Sequence, residues 1–133
     1  MTQQAAIERF LALESVAVVG ASRDRNKYGN IIYRHLRDLG VKVFAVNRVA
    51  GEVEGDPSYP TLGRLPEKPE GVIIIVPPAE TEKVVRAARA AGIASVWMQP
   101  GAESAEAVRY CETEGMCVIW DNCILVESRK AGL

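Results

Sequence analysis

The sequence predicts an α/β fold: an open, mostly parallel sheet of five strands or slightly more, with helices on both faces, in one domain over residues 1–133. Three observations predict it. Apolar β-branched runs alternate with helical patterns about every 25 residues, the rhythm of βαβ units. Gly71-Val72-Ile73-Ile74-Ile75-Val76 is apolar almost throughout, as a strand covered on both faces must be. Each strand run also gives way to small, polar or proline residues, the chemistry expected at the carboxyl ends where such sheets bind ligands.

In chain order, Thr2 can cap a first helix whose apolar positions Ala6, Ile7, Phe10, Leu11 and Leu13 recur at helical spacing, and Glu14-Ser15 end it. Residues 16–19 form the first strand and break at Gly20. A second helix begins near Gly29, with Ile31, Ile32, Leu36 and Leu39 along its apolar side and Gly40 as its stop. Residues 41–46 form the second strand. A polar loop is expected over 49–59, then a short turn or helix from Tyr59-Pro60-Thr61-Leu62, and a punctuated linker from Pro66 to Pro69.

Residues 71–76 form the central strand, stopped by Pro77-Pro78. A helix over 80–91 sets Val84, Val85, Ala88 and Ala91 on one side and closes at Gly92. Residues 95–98 are a strand and 104–114 a helix, with Ser104 as cap and Glu106 in its acidic first turn. Residues 117–120 are the last strand, and a short tail helix covers 121–130.

Composition bounds the function. A formal charge of −1 offers no general attraction for nucleic acid or an anionic membrane, so any anion must be held locally. No apolar run reaches the roughly 20 residues needed to span a bilayer, and the N-terminal stretch lacks a secretion pattern, so a cytoplasmic location is expected. Cys111, Cys117 and Cys123 are odd in number and have no histidine near them. They argue for neither a disulfide framework nor a metal site.

The stretch from Val16 to Asn30 carries the strongest signal. A buried strand, the tight turn Gly20-Ala21-Ser22, and a helix start at Tyr28-Gly29 leave unpaired N–H groups at the positive end of a helix dipole. That arrangement suits a phosphate. Arg23, Arg25 and Lys27 flank it, and Lys27 lies nearest the helix start. The compact G-x-G-x-x-G is absent, and the second strand ends in Asn47-Arg48 where an NAD site carries an acid. Arg48 suits a ribose phosphate, either the 2′-phosphate of NADP or the 3′-phosphate of coenzyme A. Its alternative is a solvated loop cation; that of Asn47 is a turn cap. Pro77-Pro78 either ends a strand or presents an apolar wall, and Gln99-Pro100-Gly101 is either a plain turn or a ligand border.

Taken together, these segments resemble the stand-alone CoA-binding domain proteins, single-domain relatives of the nucleotide-binding domain of the succinyl-CoA synthetase alpha subunit. The resemblance rests on Val18-Val19-Gly20-Ala21-Ser22 with Lys27-Tyr28-Gly29, on Val43-Phe44-Ala45-Val46-Asn47, and on Gly51-Glu52 with Tyr59-Pro60-Thr61-Leu62. Ile75-Val76-Pro77-Pro78, Val96-Trp97-Met98-Gln99 and Asp121-Asn122-Cys123 extend it over nearly the full length. Three positions depart from the family pattern: Arg48 stands where proline is common, Val76 where a polar or basic residue is common, and Asn122 where arginine is usual.

The resemblance implies a Rossmann-like fold that binds coenzyme A or an acyl-CoA. Gly20, Ala21, Ser22, Arg23, Lys27, Tyr28 and Gly29 would hold phosphate, and Asn47 and Arg48 would lie by the ribose. Val76, Pro77, Pro78, Gln99, Pro100 and Gly101 would border the adenine and pantetheine. No Ser–His–Asp set, paired-carboxylate site or P-loop is visible. The one histidine, His35, sits mid-helix as a surface or boundary residue. The expectation is a binding module without catalytic machinery of its own, with a small-molecule nucleotide as ligand and a homo-oligomer or partner enzyme subunit as possible company. The alternatives are an NADP-dependent oxidoreductase and the CoA-binding subunit of a larger acyl-CoA ligase. Cys123 either meets the CoA thiol in a mixed disulfide or anchors the tail as a small buried residue.

Overall fold

In the computed structural model, which describes Met1–Leu133, twelve elements follow one another: α1 (Gln3–Leu11), β1 (Ser15–Val19), α2 (Tyr28–Asp38), β2 (Lys42–Val46), β3 (Glu52–Val53), β4 (Asp56–Tyr59), β5 (Gly71–Ile74), α3 (Pro78–Ala90), β6 (Ser95–Met98), α4 (Ala105–Thr113), β7 (Cys117–Ile119) and α5 (Ile124–Lys130). A single 3-10 turn covers Leu62–Arg64. The strands form one seven-stranded sheet in the order β3-β4-β2-β1-β5-β6-β7. Every pairing is parallel except the β3–β4 hairpin. This is a Rossmann-like α/β fold, as the alternation of strand and helix patterns predicts.

Strand side chains alternate between faces, and that alternation sorts the core into two layers. Val18, Ala45, Ile73 and Trp97 pack against α1, α2 and α5, whereas Val19, Phe44, Val72 and Val96 pack with α3 and α4. Phe10 of α1 meets Trp97 edge to face at 5.3 Å. Gly71 is small because α1 lies on it: a Cβ there would stand 2.6 Å from Leu13 Cδ1 and 2.9 Å from Phe10. Val72, Ile73 and Ile74 have no exposed surface, and full burial stabilises by about 1.5–3 kcal/mol for each such side chain.

The largest difference from the sequence expectation is the segment 49–59. It is not a loop but holds the β3–β4 hairpin, which adds two strands at one edge. Its turn is two residues long, with Glu54 at φ 51° and Gly55 at φ 82°. Positive φ at both central positions matches the right-handed twist of the flanking strands. Asn-Gly or Asp-Gly advertises such a turn; Glu-Gly does not, and the strands are too short to show periodicity.

Smaller corrections have local causes. The central strand ends at Ile74; Ile75 keeps one ladder bond, to Val19, and both Ile75 and Val76 are half-buried. Pro78 is the first residue of α3 rather than only a strand stop, because a helix's first N–H needs no partner. The buried side of α2 is Gly29, Asn30, Ile32, Tyr33 and Leu36, while Leu39 is exposed. The helix turns by a residue from the expected face because Tyr33 hides its ring and bonds through its hydroxyl. Ala91 lies exposed beyond α3, and α5 begins only at Ile124.

The outer edge of β7 is closed by a side chain. Gln3 Nε2 donates to the Val118 carbonyl at 2.9 Å, and Gln3 Oε1 accepts from the Trp120 N–H at 3.1 Å. A residue of a parallel neighbouring strand would make the same pair of bonds. No helix is long and apolar enough to cross a membrane.

Candidate functional site

Because the core strands run parallel, their carboxyl ends share one rim. The chain order reverses about β1: β2 lies on one side of it and β5 on the other. At that switch point the loop after β1 goes to α2 on one face and the loop after β5 goes to α3 on the other, the place where open α/β sheets bind ligands. Gly20, Asn47, Ile75 and Gln99 follow the four central strand ends and remain in the ladder. Gly20 N–H donates to Val46, Ile75 N–H to Val19 and Gln99 N–H to Ile74, at 3.1, 2.8 and 3.1 Å.

The turn after β1 is forced into shape by close backbone contact. Gly20 has φ 99°, and a Cβ on it would stand 2.2 Å from the Ile75 carbonyl oxygen. Gly29, at the start of α2, is equally constrained by the Gly20 carbonyl. Only glycine at both positions lets the turn, β5 and the helix start meet.

Two asparagines then set the direction of the turn's peptide groups. Asn47 Nδ2 donates to the Ala21 carbonyl at 2.7 Å, and Asn30 Nδ2 donates to the Ser22 carbonyl at 2.8 Å. In a trans peptide the C=O and the following N–H point opposite ways. Drawing in the Ala21 and Ser22 carbonyls therefore turns the Ser22 and Arg23 N–H groups away from these asparagines. Neither N–H has a protein acceptor, nor do those of Ala21, Tyr28 and Gly29. Asn47 Oδ1 caps its own loop by accepting from Val49 at 2.8 Å and Ala50 at 2.9 Å. Ser22 Oγ accepts from the Asp24 N–H at 3.0 Å, which curls the loop toward α2.

The charged side chains sit around this turn. Arg23 and Lys27 are exposed, and Lys27 is the N-cap residue of α2 with no capping bond from its side chain. Arg25 pairs with Glu54 at 3.4 Å. Arg48 is three-quarters exposed and pairs with Glu80, in the first turn of α3, at 3.2 Å. Tyr28 is exposed, Val76 half-buried, and Pro77, Pro78, Pro100 and Gly101 line the outer rim exposed.

Gln99 is different. It is buried, its Oε1 accepts from the Ile124 N–H at 3.1 Å, and its Nε2 points to Cys123 Sγ at 3.0 Å. Its amide thus ties β6 to the start of α5. Glu103 closes the far end of the rim, accepting from Gly101 N–H at 3.1 Å and Asp121 N–H at 2.7 Å. His35 lies about two turns into α2. Its Nε2 is buried without a partner, and burial pushes its pKa below the usual 6.5. No group of three or more His, Cys, Asp or Glu side chains is arranged to hold a metal.

The sequence alone does not mark out Asn30 or Glu54. A fully buried asparagine must have partners, so Asn30 was findable in principle once its burial was known. Glu54 was not, because its place depends on the hairpin.

Comparison with known proteins gives a consistent picture. A family model described as CoA binding domain matches residues 14–129. Acetate–CoA ligase [ADP-forming] I of Archaeoglobus fulgidus is 33% identical over 89% of this chain, which spans 19% of that protein. Acetate–CoA ligase [ADP-forming] II subunit alpha of Pyrococcus furiosus is 26% identical over 96% of this chain, which spans 30% of it. The chain thus spans under a third of either curated relative. A solved structure of a hypothetical protein from Pyrococcus horikoshii OT3 superposes with TM-score 0.91 at 28% identity, covering 98% of this chain and 92% of that one.

Proposed function

The chain belongs to the CoA binding domain family, and from that premise we propose that it binds coenzyme A or an acyl-CoA along the carboxyl-end rim. The observation that carries this reading is the set of main-chain N–H groups at Ala21, Ser22, Arg23, Tyr28 and Gly29 that donate to no protein atom. They lie together where the β1 turn meets the start of α2, an arrangement that suits a diphosphate. Lys27 and Arg23 supply the nearby positive charge. Arg48 would exchange its half-buried partner Glu80 for the 3′-phosphate, an exchange that costs little because an ion pair with so exposed a guanidinium is weak. Ile75, Val76, Pro77 and Pro78 supply the apolar wall, and Pro100 and Gly101 border the pantetheine.

Thermal unfolding and calorimetry on the full chain test the proposal. A ligand specific to the folded state raises stability by RT ln(1 + [L]/Kd). Coenzyme A should raise Tm, dephospho-coenzyme A should raise it less, and NADPH should leave it unchanged. A shift with NADPH and none with coenzyme A would replace this reading with the reductase.

A second reading is favoured by the similarity to the subunit alpha of an ADP-forming acetate–CoA ligase. In it, the chain lends its coenzyme A site to a larger acyl-CoA ligase assembly. Co-purification of a second polypeptide, together with acyl-CoA formation only in its presence, would support that role.

A further inference from the structure

We propose that Glu54, at the tip of the β3–β4 hairpin, is a positioning residue for the β1–α2 turn. Its carboxylate fixes the Asn30 amide that draws in the Ser22 carbonyl and thereby aims the Arg23 N–H. The inference rests on the reading of that turn as the diphosphate cradle, and adds to it the group that holds the cradle's direction.

The argument starts at Asn30, which has no exposed surface. Its Oδ1 accepts from Arg34 Nε at 2.6 Å, and its Nδ2 donates both to the Ser22 carbonyl at 2.8 Å and to Glu54 Oε2 at 3.1 Å. A guanidinium only donates, and a carbonyl and a carboxylate only accept. The amide is therefore locked in one orientation. Flipped, it would turn its NH2 toward Arg34 and its oxygen toward two acceptors. Without Glu54, Asn30 keeps only the single carbonyl to define its donor side, and a buried N–H loses its partner.

The hairpin holds Glu54 firmly. Val53 is fully buried beside it. Tyr33 donates its hydroxyl to Asp56 Oδ2 at 2.7 Å, and Arg37 donates to the same oxygen and to the Glu54 carbonyl, both at 3.0 Å. The Glu54 side chain is only 17% exposed, unlike an ordinary surface carboxylate. Its charge is matched by Arg25 at 3.4 Å, so it adds little repulsion toward an anion in the turn. Arg34 donates to the Arg25 carbonyl at 3.1 Å, which ties down the other end of the same loop.

The test uses the full chain with Glu54→Ala and Glu54→Gln. Calorimetry with coenzyme A should show Glu54→Ala binding roughly tenfold more weakly, the loss expected when a hydrogen bond to a charged group is removed. Glu54→Gln can still accept from Asn30 through its Oε1, and should restore affinity to within about threefold. A loop held only by charge would not be rescued this way. In the ligand-free protein, amide NMR signals of Ser22 and Arg23 should move in Glu54→Ala and return in Glu54→Gln.

Unchanged coenzyme A affinity in Glu54→Ala, or a glutamine variant as weak as the alanine one, overturns the proposal. So do unmoved Ser22 and Arg23 signals. If the parent chain itself shows no heat with coenzyme A, the cofactor reading fails, while the ligand-free amide signals still decide whether Glu54 sets the turn.

Discussion

A Cβ built on Gly29 would stand 2.0 Å from the carbonyl oxygen of Gly20, so the first turn of α2 and the turn after β1 touch backbone to backbone. Neither partner is a flexible side chain that could step aside. Gly29→Ala should therefore cost more than about 3 kcal/mol, above ordinary overpacking because both groups are backbone, and should lower coenzyme A affinity with it. Gly101→Ala is the control: φ is 96° there, but no atom lies within 4 Å of the new Cβ. It should cost only the backbone strain of about 1–2 kcal/mol. Denaturant midpoints of the two variants check the order, and equal losses would refute the close-contact argument.

Asn47 does two jobs that can be separated. Asn47→Ala loses the bond to Ala21 and both bonds from Val49 and Ala50, and should destabilise by about 1–3 kcal/mol. Asn47→Asp keeps the acceptor for Val49 and Ala50 but cannot donate to the Ala21 carbonyl. It should unfold nearer the parent midpoint yet bind coenzyme A as weakly as the alanine variant. An aspartate variant with parent affinity would show that the Ala21 carbonyl needs no tether.

His35 gives a pH dependence with a definite sign. Burial lowers its folded pKa below 6.5, with Asp38 opposing the shift. As pH falls below about 6.5, the unfolded chain takes up a proton that the folded chain resists. Stability contributed by this residue is complete above that pH and is lost on acidification toward the lower folded value. Urea midpoints at pH 7.5 and 5.5 should differ in the parent and differ less in His35→Gln. An equal pH difference in both proteins would remove His35 as the source.

Gln3→Ala uncovers the outward C=O of Val118 and N–H of Trp120. The expected losses are about 1 kcal/mol of stability and the slow exchange of the Trp120 amide. An open edge also invites strand pairing between molecules. Light scattering across a concentration series should show more association in Gln3→Ala than in Gln4→Ala, whose side chain bonds only to Glu8.

The sheet's parallel core was legible because its residues are apolar on both faces and glycine punctuates the helices between them. The tight joint at Gly20-Ala21-Ser22 was legible as well, since a glycine directly after an apolar run marks a close backbone approach. The hairpin was hidden because two- and four-residue strands carry no periodicity, and Glu54 occupies a left-handed position without the usual asparagine or glycine. The tethers from Asn30 and Asn47 join positions far apart in the chain, and a lone asparagine in sequence looks the same whether it caps a loop or orders one. Arg48 reads as a cation in either form; only the structure shows Glu80 already beside it.

The bond from Gln3 to Val118 spans 115 positions. During synthesis, a ribosome must deliver the last strand before the first helix has its final seat. Until then, the apolar side of α1 that will cover Trp97 has no complete surface to lie on. The α1 segment should therefore stay protease-sensitive until β7 has formed, and its docking should be slow compared with the closure of neighbouring β1 and β2.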